Sequence, residues 1–162
     1  MSICITGTGS YIPEIIKKNI DFLENRFLHS DGSNFKVSNE VIIKKFQAIT
    51  GIEERRYAKS NYNSSDLAFF AAKNAIKDSK IDQENLDYII VAHNFGDIKA
   101  GTKQFDQLPS LASRVKYKLG INNPNCVCYD LIFGCPGWIE GVIQAQAFIK
   151  AGMAKKLSLI HI

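Results

Sequence analysis

The chain has 162 residues, 46% of them hydrophobic, 22% charged and 10% aromatic, with 11 glycines and 4 prolines. That composition excludes a disordered tail, a collagen-like repeat and a low-complexity linker, and the length allows one domain or little more. The net charge of +4 suits acidic partners such as phosphorylated cofactors or an acidic carrier protein. Lys17-Lys18, Arg55-Arg56 and Lys155-Lys156 are scattered pairs rather than one stripe, so no nucleic-acid role is expected. No apolar run approaches the roughly 20 residues a bilayer requires, and Ile3-Cys4-Ile5 follows no basic-then-apolar leader, so a cytoplasmic protein without membrane contact is expected.

In chain order, Ile3 to Tyr11 reads as a strand ending in Gly7-Thr8-Gly9-Ser10 and Pro13. Residues 14–57 fit a regular alternation less well. They hold a helix near Ser38 to Ala48 and an extended Gly51-to-Ala58 stretch, an excursion bearing function or contacts. Ser64 or Ser65 caps a helix to about Asp78, with Leu67, Phe70, Ala71, Asn74 and Ala75 along one side. Leu86 to Ala92 is a continuous apolar run, the mark of a strand covered on both faces. Pro109 opens a helix that Gly120 closes. Cys126 to Phe133 reads as a strand, Pro136 to Ala151 as a helix and Leu157 to Ile162 as a final strand. This alternation predicts an α/β fold with a parallel sheet flanked by helices. An apolar strand at the very end of the chain predicts a truncated polypeptide.

The four cysteines (Cys4, Cys126, Cys128, Cys135) are expected to be reduced. Cys126 and Cys128, two apart on one strand, share a face and read as buried apolar fillers; no second Cys or His pair completes a metal site. Gly7-x-Gly9 after a strand suggests a dinucleotide loop, but Ile12 stands where the third glycine is required and Pro13 blocks the helix, leaving a tight turn.

Asp130 to Trp138 carries the chemistry. A strand ends at Phe133, Gly134 permits a sharp turn, and Cys135 occupies the N-cap of a helix whose first position is Pro136. The positive end of a helix dipole and free first-turn amides favour thiolate there, and the nucleophile's own N–H can face a developing oxyanion. The helix that follows is apolar almost all round and is expected to be buried, which implies a substrate tunnel. The alternative for Cys135 is one more small buried residue. No histidine is a convincing proton-transfer partner: His29 lies in a polar stretch, His161 in the last strand, and His93 at a strand end suits a structural hydrogen bond.

With these residues in view, the chain resembles the N-terminal half of a β-ketoacyl-acyl-carrier-protein synthase III, a branch of the thiolase superfamily. Ile5-Thr6-Gly7-Thr8-Gly9-Ser10-Tyr11-Ile12-Pro13-Glu14 matches the opening of that family, and Thr50-Gly51-Ile52-x-Glu54-Arg55 a second segment. Asp66-Leu67-Ala68 with Ala71-Ala72, then Pro109-Ser110, and then Asp130 to Gly137 around the cysteine follow in order. The resemblance implies a thiolase-like fold of two similar halves, residues 1–162 holding four of five strands of the first. It implies an antiparallel homodimer through 126–132, with Leu108 reaching toward the partner's acyl pocket and Phe133 and Trp138 lining a pocket beside Cys135. It implies that Cys135 takes an acyl group from an acyl-CoA or acyl-carrier-protein thioester, its backbone N–H serving as oxyanion donor. A malonyl thioester then loses CO₂ and condenses, with no bound cofactor and no metal; the family's His and Asn lie in the second half. The resemblance departs at the CoA-contacting Trp and Arg, where this chain has Lys45 and Ile49, which points away from simple acetyl-CoA priming. Pro136 and Trp138 also replace smaller residues, and the indole narrows the tunnel. Alternatives are a hydroxymethylglutaryl-CoA-synthase-like or secondary-metabolite ketosynthase, or a non-catalytic dimerisation or binding subunit.

Overall fold

The structure, a computed structural model, describes residues 3–162. The chain divides into two compact units, one comprising residues up to Tyr11 together with Ser60–Ile162, the other Ile12–Lys59.

The smaller unit pairs β1 (Ile15–Lys18) antiparallel with β2 (Glu54–Tyr57) and packs a short 3-10 turn, Asn19–Phe22, against α1 (Asn39–Thr50). Ser38 is the N-cap of α1, and Gly51 ends it in the left-handed region at φ 68°. A cavity of about 110 Å³ is lined by Phe22, Phe27, Ile43 and Phe46, with Arg55 and Asn19 joined at 2.7 Å on its wall.

In the larger unit, β3 (Tyr88–His93) lies between β6 (Val127–Ile132) and β7 (Leu157–His161), all parallel. The continuous apolar run is explained directly. Ile89 and Val91 face α2 (Ser64–Ser79) and α3 (Leu111–Leu119), while Ala92, on the opposite face, meets α4 (Gly137–Lys150). The core joins Ala68 and Ala72 of α2, Leu111, Ala112 and Val115 of α3, Leu86, Ile121, Cys126 and Ile160. Ser110 caps α3, its Oγ accepting from Ser113 N at 3.1 Å, and Gly120 closes it at φ 73°; Pro109 thus precedes the cap rather than opening the helix. Asn63, not Ser64 or Ser65, caps α2, and Asp66 accepts from its amide at 2.8 Å. A two-residue hairpin, β4 (Asp97–Ile98) with β5 (Phe105–Asp106), was not legible in the sequence.

Three expectations are corrected. First, Ile3 to Tyr11 is not a strand, so among the described residues the sheet has three parallel strands rather than four. The segment runs along α2 instead, with Thr8 N donating to Asp78 at 2.8 Å and Asn74 Nδ2 to Ser10 O at 2.9 Å. A groove of about 230 Å³ lies between Gly9–Tyr11 and the chain end at His161 and Ile162. Second, Gly7-x-Gly9 forms no tight turn. A Cβ on Gly7 would lie 2.5 Å from Ser79 N, and one on Gly9 2.2 Å from Ala75 N. These glycines let one backbone cross another. The Ala71–Asn74–Ala75 side of α2 is accordingly covered by this segment, while Ser65, Ala68 and Ala72 are the residues it buries. Third, α4 is not buried all round. It approaches the sheet closely at Gly137 and Gly141, where an added Cβ would meet Ala92 at 3.2 Å and Leu159 at 2.4 Å respectively, while Trp138, Ile139, Val142 and Ile143 are exposed.

Asp87 joins the starts of β3 and β7. Its carboxylate accepts from the amides of Lys155 at 2.6 Å and Lys156 at 3.0 Å, which hold its pKa below the ordinary 3.8. A carboxylate whose folded pKa is depressed contributes stability above its unfolded value and loses it as pH falls through the folded one. Asp87→Asn is therefore expected to flatten the acid limb of a stability-against-pH curve below 3.8, measured by urea unfolding, without steepening it near neutrality.

Candidate active site

Cys135 lies at the C-terminal end of β6, in the turn leading to α4. The segment Gly134-Cys135-Pro136-Gly137 closes on itself, Gly137 N donating to Gly134 O at 2.8 Å, so Cys135 and Pro136 are its central residues. Pro136 has no N–H to give and serves as the helix N-cap, its carbonyl accepting from Glu140 N at 3.1 Å. Cys135 thus sits one residue before the cap position expected for it. Gly137 allows this turn to rest on the sheet, since a Cβ there would already be 3.2 Å from Ala92 Cβ and 3.3 Å from Phe133 Cβ. Phe133 N is tied to His93 O at 3.1 Å, fixing the end of β6 against β3. The Cys135 side chain is exposed, and its own N–H has no acceptor among the described residues.

Of the other expected site residues, Phe133 and Trp138 flank the same turn and each is 44% exposed. Leu108 lies on a different connection, after β5, and is 82% exposed. Neither cavity described above is lined by Cys135.

The four cysteines separate by environment. Burial pushes the Cys128 thiol up to about 12 and raises that of Cys126, whereas Cys4 and Cys135 are exposed. Iodoacetamide at pH 8, read by peptide mass, is expected to label Cys135 and Cys4 at least tenfold faster than Cys128, since only the thiolate reacts (roughly tenfold for each pKa unit). Comparable rates at all four would contradict this arrangement.

His93 is excluded as a proton shuttle by its own bonds. It is 2% exposed, its Nδ1 accepts from Gly96 N at 2.9 Å, and Nε2 therefore carries the proton that it donates to Asp130 at 2.9 Å. Asp130 also accepts from the amides of Leu111 at 2.7 Å and Ala112 at 2.9 Å, anchoring the start of α3 to the strand that leads to Cys135. A second network holds the preceding loop. Asp97 accepts from Ser65 N and Oγ, both at 2.7 Å, and from Arg114 Nη1 at 2.8 Å, and Lys118 Nζ reaches Ser65 Oγ at 3.1 Å. The sequence signal for it was the Arg114/Lys118 pair, one turn apart on α3. Among the described residues no cluster of His, Cys, Asp or Glu could hold a metal ion, and no helix is long and apolar enough to cross a membrane.

Comparison with known proteins fits this geometry. No family model matches the chain. It is 37% identical over 156 residues to β-ketoacyl-[acyl-carrier-protein] synthase III 1 of Vibrio vulnificus, covering 96% of this chain and 42% of that protein. The Neisseria gonorrhoeae β-ketoacyl-[acyl-carrier-protein] synthase III is 36% identical over the same shares. The chain therefore spans about two fifths of the length of these relatives. Among solved structures, 3-oxoacyl-[acyl-carrier-protein] synthase III from Aquifex aeolicus superposes with a TM-score of 0.72 at 31% identity, over 97% of this chain and 43% of that one. A priming β-ketosynthase of the R1128 polyketide pathway shares the fold with a TM-score of 0.74 at 20% identity, over 97% of this chain and 40% of that one. In sequence and in its thiolase-like α/β fold, the chain is a homologue of the β-ketoacyl-[acyl-carrier-protein] synthases III.

Proposed function

We propose that the chain supplies the acyl-accepting half of a 3-oxoacyl-acyl-carrier-protein synthase III-type acyltransferase, with Cys135 as nucleophile. The observation that carries this reading is an exposed cysteine with an unengaged N–H at the strand-to-helix turn of this fold. The sulfur attacks the carbonyl of an acyl-CoA or acyl-carrier-protein thioester, the Cys135 N–H steadies the developing oxyanion, and the donor thiol departs with the proton. A malonyl thioester then loses CO₂, its carbanion attacks the acyl-cysteine, and the Cys135 thiolate is released with a 3-oxoacyl thioester. Phe133 and Trp138 form one wall of the acyl pocket. Leu108 contributes to the pocket of a second copy, in a homodimer paired along the free edge of β6. Edge pairing of that kind satisfies the outer amides of Val127–Ile132. His93 is committed to Asp130 and Gly96 and takes no part in the decarboxylation, and the isolated 162 residues are expected to stop at the acyl-enzyme.

Cys135→Ala tests the reading. It is expected to abolish acyl transfer from thioesters while leaving the unfolding free energy within about 0.5 kcal/mol, as for an exposed position. Unchanged transfer in that variant would favour a non-catalytic subunit and overturn the proposal.

A further inference from the structure

Arg114 makes a set of bonds that simple helix stability does not require. It projects from α3, and four of its hydrogen bonds and ion pairs go to one loop. Its Nε donates to Pro109 O at 2.9 Å and Nη2 to Leu108 O at 3.1 Å, so the fork grips the two consecutive carbonyls that follow the Leu108 side chain. Nη1 bonds Asp97 at 2.8 Å and Nη2 pairs with Asp106 at 2.8 Å. Asp97 and Asp106 face each other directly in the β4–β5 hairpin, a like-charge pair that separates unless a cation lies between them. That hairpin has two residues per strand, too few to hold its own shape. The loop's conformation is thus imposed from α3. The consequence concerns Leu108, whose side chain projects into the open on a backbone fixed at its carbonyl.

We propose that Arg114 is a positioning residue for acyl-chain selection, holding Leu108 at a fixed reach. This deepens the proposed function and rests on its reading of Leu108 as an acyl-pocket residue. Only a planar guanidinium spans two carbonyls and two carboxylates together; an ammonium keeps a charge beside Asp97 and loses the fork. A side chain that sets the length of a pocket must be preorganised, because a loose one accommodates every substrate alike.

The test uses Arg114→Lys, with acyl-pantetheine thioesters from acetyl to decanoyl as probes and acyl occupancy of Cys135, by peptide mass, as readout. The wild-type protein is expected to discriminate among chain lengths, and Arg114→Lys to cut that discrimination about tenfold, the worth of one charge-assisted hydrogen bond. Leu108→Ala is expected to flatten the profile similarly and to add little in the Arg114→Lys background. Asp106→Asn, which removes an exposed anchor of the fork without stranding a buried charge, covers the case of a misfolded lysine variant. It is expected to shift the profile in the same direction. Slowing by one common factor at every length, or an unaltered profile in a folded variant, would assign Arg114 a structural role only and overturn the proposal. A flat wild-type profile would overturn it as well. A wild-type protein that takes no acyl group at Cys135 would overturn the underlying reading of Cys135 and this inference with it.

Discussion

Asp130→Ala is expected to lower stability by about 3–5 kcal/mol, close to the whole margin of a small domain. One carboxylate serves three donors: the amides of Leu111 and Ala112, both in fully buried residues, and the Nε2–H of His93. Alanine leaves all three without their carboxylate, itself only 9% exposed, at roughly 1–3 kcal/mol for each stranded group. It also removes a negative charge from the N-terminal end of α3, worth about a further 0.3–1 kcal/mol. Asp130→Asn keeps one acceptor oxygen but turns an NH₂ toward donors, so an intermediate loss is expected. Urea unfolding followed by circular dichroism measures both. A loss under about 1 kcal/mol for the alanine variant would mean that the three donors find other partners.

Gly9→Ala is expected to cost about 3 kcal/mol or to detach the N-terminal segment outright, the upper range for overpacking. The added methyl would lie 2.2 Å from Ala75 N, 2.6 Å from Ala71 O and 2.7 Å from Asn74 C, all main-chain atoms of α2 that cannot rotate aside. Gly134→Ala is the control. Its nearest neighbour is Pro136 Cδ at 3.9 Å, and an effect within about 0.5 kcal/mol is expected. Hydrogen exchange at residues 3–11 should rise in Gly9→Ala and stay unchanged in Gly134→Ala. Equal stability of the two variants would show that the segment does not cross α2 at this distance.

Sequence patterning revealed the elements whose burial is decided locally. The strands read at β3, β6 and β7, the Gly120 cap and the helix α2 all appear where expected, while α1 runs two residues beyond Ala48 to a Gly51 cap. What eluded it depends on partners. The alternation Ile3-Cys4-Ile5 satisfies a strand pattern, but a strand exists only beside another, and this segment pairs with no strand among the described residues. An apolar α4 looks buried from its composition, yet it meets the sheet along one side, through Gly137, Gly141, Gln144 and Phe148. Pro136 has the fixed φ that suits a helix's first position, but Gly137 N closes the turn onto Gly134 O, so Pro136 becomes the N-cap and the cap falls one residue away. The aspartates that order the site, Asp97 and Asp130, read as ordinary polar residues, because their donors come from residues 17 to 37 positions away.

Site-resolved mapping of the acyl group tests the central claim most directly. The protein is mixed with an acyl thioester, quenched in acid, digested, and each of the four cysteine peptides is weighed with and without hydroxylamine. A hydroxylamine-labile acyl mass on the Cys135 peptide is expected, with Cys4, also exposed to solvent, remaining free. An acyl group spread evenly over Cys4 and Cys135, or absent from Cys135, would contradict the account.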